Sequence, residues 1–286
     1  MGSGSWSSVE YSNRVTSDWG FRSVDSLASS SVQSIYRSTH LDPMLDPKNV
    51  IRECCDSTEH PATVPVILAL DVTGSMGSAC KMCAAKLDEI MTQLYSEVND
   101  VQFMMMGIGD LSYDEAPIQA TQFESDIRIL DQTAKIWFEG GGGGNRFESY
   151  TAAWYFGLHN TKLDCWNRGR KGIIITLGDE PLNPYLPKKS LNKALGSSEQ
   201  ADVGTEQLYK EVCEKFDVYH IAITNNSCYW RYENEIENSW GKLLGQRLFA
   251  AKSDDLPKII SQIVNDSLST VTYTSSVTVT EDGISW

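Results

Sequence analysis

The 286 residues contain no apolar run of 18 or more, so the sequence offers no membrane-spanning helix. The opening MGSGSWSSVE lacks both the basic and the apolar region of a secretory signal, and a soluble, cytoplasmic chain is expected. Positive charge is in deficit. There are 24 Lys and Arg against 38 Asp and Glu, a formal net charge of -14. That balance argues against nucleic-acid binding through a basic face and against attraction to anionic membrane; basic partners or metal cations suit it better. Histidine is sparse: His40, His60, His159 and His220 stand in unrelated contexts, no Ser-His-acid set can be assembled, and His220, inside a strand, belongs to the core. No G-x-G-x-x-G follows the first apolar strand and no G-x-x-x-x-G-K-[ST] occurs, so dinucleotide and P-loop readings fail at their defining residues. The 7 cysteines are odd in number and include only one C-x-x-C, Cys80 and Cys83. Without a second pair to complete a zinc site, reduced thiols are expected, with that pair packing a helix onto a sheet.

What is present is a set of buried-strand signals ending in acids. Residues 64 to 76, VPVILALDVTGSM, are apolar and mostly β-branched until Asp71, and Gly74 then permits a tight turn. A continuous apolar run suits a central parallel strand covered on both faces. VQFMMMGIGD (101 to 110), GIIITLG (172 to 178) and DVYHIAIT (217 to 224) read the same way, and Asp179 follows the third run as Asp71 ends the first. Between them the spacing predicts helices over 78 to 98, after the glycine run 140 to 144, over 205 to 216 and over 254 to 268. A short helix running into a brief strand near Ile136 to Phe138 is expected within 123 to 139, and a long loop over 111 to 122. Residues 225 to 253 read in their second half as a helix and turn. Strands alternating with helices give an α/β, doubly wound, mostly parallel sheet of Rossmann-like order.

This core spans 61 to 268. Residues 1 to 60 form a serine-rich extension whose aromatics are too many for a free tail, so it should lie on the main domain or on a neighbouring subunit. Residues 269 to 286 alternate β-branched and polar side chains and are expected to form a strand or hairpin on a sheet edge.

Asp71, Thr73 and Ser75 place three hard oxygens on one loop at alternate positions, D-x-T-x-S, the chemistry that Mg²⁺, Mn²⁺ or Ca²⁺ prefers. The pattern resembles the metal-ion-dependent adhesion site (MIDAS) of von Willebrand factor A (VWA) domains, with Thr73 for the first serine of D-x-S-x-S. Asp179, after its apolar strand, corresponds to the family's second aspartate. The middle loop departs from the common glycine-threonine pattern and is closer to intracellular members reading G-G-G-D-x-P-E. There Asn145 takes the aspartate position and Glu148 the glutamate; Asn145, Glu148 or Ser149 could fill the shell, with Glu148 preferred. Thr151, one turn further, should face the core.

The resemblance implies an intracellular member of bacterial or phage type. It implies a metal site of Asp71, Thr73, Ser75, Glu148 and Asp179 that holds Mg²⁺, with Mn²⁺ or Ca²⁺ as alternatives. It also implies a non-enzymatic protein-interaction module that binds an Asp or Glu of a partner, which could be an AAA+ ATPase or a multiprotein assembly. A second reading is a structural protein that self-associates into a homo-oligomer through its terminal arms. A third is a haloacid-dehalogenase-type phosphatase with Asp71 as nucleophile, which needs an acid where Thr73 stands.

Overall fold

The longest apolar runs become the middle of one sheet, because a strand apolar on both sides is stable only where helices cover both faces. The computed structural model describes residues 4–98, 100–141 and 143–274. The chain passes through α1 (Ser8–Asn13), α2 (Asp25–Ser29), α3 (Val32–Ile35), β1 (Arg52–Cys54), β2 (Val64–Asp71), α4 (Gly77–Ala85), α5 (Leu87–Glu97), β3 (Val101–Ile108), β4 (Ile118–Ala120) and α6 (Arg128–Thr133). There follow α7 (Ala152–His159), β5 (Thr161–Leu163), β6 (Gly172–Gly178), β7 (Tyr185–Leu186), α8 (Lys188–Leu195), β8 (Val203–Gly204) and α9 (Thr205–Val212). The last elements are β9 (Phe216–Ile223), α10 (Ser227–Leu244), β10 (Leu248–Ala251) and α11 (Leu256–Thr274).

The main sheet has six strands in the order β10-β9-β6-β2-β3-β4. All neighbours are parallel except the antiparallel edge strand β4. From β2 the chain lays β3 and β4 on one side, then crosses over to lay β6, β9 and β10 on the other. The order therefore reverses between β2 and β6, and open α/β sheets bind ligands at the carboxyl end of that reversal. Asp71 is the last residue of β2, and Asp179 is the first after β6.

Alternation along β2 divides the core. Val66, Leu68 and Leu70 face a cluster that also holds Ile90 and Leu94 of α5, Ile260 and Ile263 of α11, and Tyr11, Leu27 and Ile35 of the first 60 residues. Ile67 and Ala69 face the opposite cluster, with Trp154 of α7, Leu208 of α9 and Trp240 of α10. The serine-rich extension thus lies on its own chain. The Tyr36 hydroxyl donates to the Cys80 carbonyl at 2.9 Å, and the Trp6 indole donates to Asp88 at 2.8 Å. β1 pairs in parallel with β5.

The single helix expected over 78 to 98 is broken at Lys86 into α4 and α5. The Tyr11 hydroxyl donates to the carbonyls of Ala84 and Ala85 at 2.9 and 3.1 Å, and a side chain inserted into the i to i+4 ladder interrupts it. The brief strand expected near Ile136 to Phe138 does not form. The Gln119 amide occupies both backbone groups of Trp137, donating to its carbonyl at 2.9 Å and accepting its N–H at 2.8 Å. Gln119 itself sits in β4, within the stretch expected to be loop, and β10 occupies residues expected as helix and turn. α11 runs to Thr274, into the stretch expected to be extended from 269. β-branched residues cost a packed helix only tenths of a kcal/mol each, so propagation from the buried first turns prevails (roughly 0.7 kcal/mol at most per residue). Residues 275 to 286 of that expected strand lie outside the described residues.

Cys80 and Cys83 are buried in α4, and burial pushes the Cys83 thiol up to about 12, the opposite of a reactive pair. No helix among the described residues is long and apolar enough to cross a membrane.

Candidate metal centre

Asp71 is fully buried because β2 is a central strand and its last side chain turns into the crevice rather than toward water. Its Oδ1 accepts from the Thr73 backbone N–H at 2.8 Å and from the Thr73 hydroxyl at 2.5 Å. Its Oδ2 accepts from the Tyr150 hydroxyl at 2.8 Å. The loop that carries Thr73 and Ser75 is held from above by the glycine run. Gly74 N–H donates to the Gly141 carbonyl at 3.0 Å, and Gly140 N–H donates to the Val72 carbonyl at 3.2 Å. A Cβ on Gly74 would come within 3.0 Å of the Gly140 carbonyl, so the close approach of the two loops needs glycine there.

The Ser75 hydroxyl donates to Asp179 Oδ1 at 3.0 Å, joining the loops after β2 and β6. Asp179 is also fully buried, and among the described residues its Oδ2 accepts no hydrogen bond of normal geometry, although the nearby Asn226 amide favours its charged form. Glu148, 2% exposed, likewise leaves Oε2 unpartnered. The other two middle-loop candidates are engaged elsewhere. Ser149 Oγ accepts from Leu111 N–H at 3.0 Å, and the exposed Asn145 donates to Asp110 at 2.5 Å. Thr151 is buried and accepts from the Asn183 amide at 2.6 Å, as expected of a core-facing residue.

Every carboxyl at this end of the sheet whose affinity for protons is shifted moves toward protonation. Burial, then the charge of Asp179, pushes Asp71 up to about 7. Burial, then Asp71, pushes Glu148 up to about 11. Asp179 is raised by burial, and Glu180 rises to about 8 through burial and then the charges of Asp71 and Asp179. No lysine or arginine counteracts these shifts. Buried anions without a partner are costly, and a cation or a proton must offset them. No three His, Cys, Asp or Glu side chains among the described residues converge closely enough to hold a metal by themselves. A donor set here therefore needs the hydroxyls of Thr73 and Ser75. Hard oxygens, two of them orphaned carboxylate atoms, fit a hard divalent cation.

Tyr150 and Glu180 belong to the site and were not singled out from the sequence. Tyr150 reaches Asp71 by passing over Gly178, where a Cβ would lie 2.1 Å from its hydroxyl oxygen. A glycine inside an otherwise apolar strand is the signal that could have pointed to such an approach. Beneath Tyr150, His220 stacks on Trp240 with ring centroids 3.8 Å apart and planes 5° from parallel. Burial lowers His220 to about 3, so it is a neutral core ring, bonded through Nδ1 to the Thr176 hydroxyl at 2.8 Å.

No protein-family model matches the chain, and no curated protein is detectably similar to it in sequence. Among solved structures it is similar to the pilus adhesin SpaC from Lactobacillus rhamnosus GG in an open conformation (13% identity, 78% of this chain and 31% of that one, TM-score 0.48). It is also similar to the D319A mutant of the PilB minor pilin from Streptococcus sanguinis (13%, 75% and 64%, TM-score 0.47). A third is an aerotolerance-related membrane protein from Bacteroides fragilis NCTC 9343 with multiple mutations to serines (15%, 71% and 99%, TM-score 0.41). The chain spans 31% of the length of the adhesin and 64% of the pilin. These likenesses carry no argument about function.

Proposed function

We propose that the chain is a VWA-type protein-interaction module whose centre holds a divalent cation, Mg²⁺ in the first instance, and receives an Asp or Glu side chain from a protein partner. Asp71, Thr73, Ser75 and Asp179 would hold the ion, with Glu148 as the middle-loop donor. The supporting observation is that Asp179 Oδ2 and Glu148 Oε2 are both buried and accept no hydrogen bond among the described residues, Asp179 being joined to the Ser75 hydroxyl where the strand order reverses and Glu148 lying within the influence of the Asp71 charge. When bound, the cation supplies an electropositive centre that an anionic side chain can complete.

The chain's own residues prepare that centre. Thr73 and Tyr150 fix both oxygens of the Asp71 carboxylate, while Ser75 orients Asp179. The glycine run covers the loop through its backbone alone, adding no side chain that would crowd an incoming group. A non-catalytic role agrees with the same contacts. A nucleophilic Asp71 of that phosphatase type would need an acid at position 73, where Thr73 stands and donates to Asp71.

Thermal unfolding with Mg²⁺ or Mn²⁺ tests the centre, and partner capture with and without EDTA tests its use. The folded wild type should be stabilised by either metal and Asp71→Ala should not. Equal stabilisation of both proteins, or of neither, overturns the reading.

A further inference from the structure

A helix that covers a sheet ordinarily turns polar side chains to water on its far side, as α5 does with exposed Glu89, Thr92 and Ser96. α4 has little such face. Of its 9 residues, GSACKMCAA, Ser78 and Lys81 alone are polar, and Ala79, Cys80, Cys83 and Ala84 are buried. α2 and α3 of the serine-rich extension pack against it, and even Lys81 directs its ammonium to the Ala28 carbonyl of α2, at 3.5 Å. The extension thus supplies the second covering that the composition of α4 demands.

The same helix begins where the candidate metal loop ends. Asp71, Thr73 and Ser75 all lie in the six residues before Gly77, which opens α4. Gly77 sits between two side chains from elsewhere: a Cβ on it would stand 3.6 Å from Val32 of α3 and 3.4 Å from Phe138. The Phe138 ring would also stand 3.4 Å from a Cβ on Gly140, in the glycine run. α3, the start of α4 and the approach to the glycine run therefore meet at one point.

About one turn further on, Cys80 ties the extension to the aspartate. Its carbonyl accepts from the Tyr36 hydroxyl at 2.9 Å, and its thiol donates to the Asp71 backbone carbonyl at 3.1 Å. Tyr36 is 2% exposed and Cys80 1%, so a broken bond there would not be replaced by water. A thiol is a weak donor, and most of the constraint comes from the Tyr36 bond and from the packing at Gly77. Close-packed interiors hold few voids, so a shift of α4 passes to the loop that leads into it.

We propose that the segment from α2 to Tyr36 is a clamp on the metal loop: through Val32 and Tyr36 it fixes where α4 begins, and so holds Asp71, Thr73 and Ser75 in place before any cation arrives. Val32 and Tyr36 are positioning residues that act through α4. Donors ordered in advance bind more tightly, because the cost of ordering them is met on folding. Displacing the segment from α4 would then weaken the centre without touching a ligand. The effect on affinity rests on the metal reading above; the effect on the loop itself does not.

Two measurements on the full chain test it. The backbone amides of Val72, Thr73, Gly74 and Met76 all donate hydrogen bonds, so their hydrogen exchange reports opening of the loop. In EDTA, Tyr36→Phe should speed that exchange several-fold and V32A/Y36F further, with the amides of β6 unmoved. Mn²⁺ titration of the same proteins should give a dissociation constant raised several-fold in Tyr36→Phe and unchanged in Trp6→Phe, which loses its bond to Asp88 of α5 and none to α4. The constant belongs to the folded protein, so a loss of global stability alone would leave it in place. Loop exchange and Mn²⁺ affinity that both stay at wild-type values in Tyr36→Phe and V32A/Y36F overturn the clamp. Faster loop exchange in a protein whose wild type takes up no Mn²⁺ overturns the metal reading and, with it, the link from clamp to affinity.

Discussion

The two ends of the central sheet carry opposite charges and resolve them in opposite ways. At the carboxyl end Asp71, Glu148 and Asp179 are each buried and Glu180 is half-buried; burial favours protonation of all four, and neighbouring carboxylates add to it at Asp71, Glu148 and Glu180. At the amino end Arg168, Arg170 and Lys171 stand in or near water, where a base stays charged at little cost. The contrast shows that exposure, more than the count of like charges, decides whether a cluster demands a partner. A buried acid must find a proton or a cation; an exposed base can wait for its anion.

The largest effect that would break this comparison lies at Gly178. Gly178→Val should lower the free energy of unfolding in urea by ~3 kcal/mol or more, since even its Cβ would overlap the Tyr150 ring and hydroxyl. A near-neutral result would mean that Tyr150 does not need to reach Asp71. Next comes metal. Mg²⁺ at a hundredfold excess over its dissociation constant should stabilise the protein by ~2.7 kcal/mol, an increment absent in Asp179→Ala.

The pH dependence follows with a definite sign. Asp71 and Glu180 are raised to about 7 and about 8, so their stabilising contribution is full below the unfolded carboxyl value and is lost as pH rises through those values. His220, lowered to about 3, acts oppositely: its contribution is present above its unfolded value and is lost as pH falls toward about 3. Between about pH 6.5 and 8 the acids therefore act alone. Without metal, stability should fall there by ~1.4 kcal/mol per pH unit for each extra proton the native state holds, and saturating Mg²⁺ should flatten the slope. Urea titrations in EDTA and in Mg²⁺ measure both. The smallest effect belongs to the amino end, where Arg170→Glu should change stability by no more than ~0.5 kcal/mol, as expected of an exposed side chain.

The central strands were legible because a buried parallel strand is written as an unbroken apolar run, as in VPVILAL and GIIITLG. β4 and β10 were not. They are edge strands of three and four residues, and nothing in so short a stretch distinguishes a strand from a loop. The break at Lys86 was equally invisible, since its cause, Tyr11, lies more than 70 residues earlier in the chain. In the site, D-x-T-x-S declared its oxygens in the sequence, and the repeated strand-then-aspartate pattern marked Asp179. Tyr150 hid in a helical apolar pattern because periodicity records where a ring packs and not what its hydroxyl reaches. Ser149 and Asn145 were separated from Glu148 only by where their hydrogen bonds go, which is a property of the folded loop.

The backbone bonds that join the glycine run to the loop after β2 make one end of a bridge whose other end is Ser149. Gly140 and Gly141 are pinned to Val72 and Gly74, and Ser149 N–H donates to the Gly109 carbonyl at 3.2 Å, so Glu148 stands beside a residue anchored at the end of β3. A residue more or fewer between the two anchors would be absorbed by the bridge, and the glutamate would keep its place.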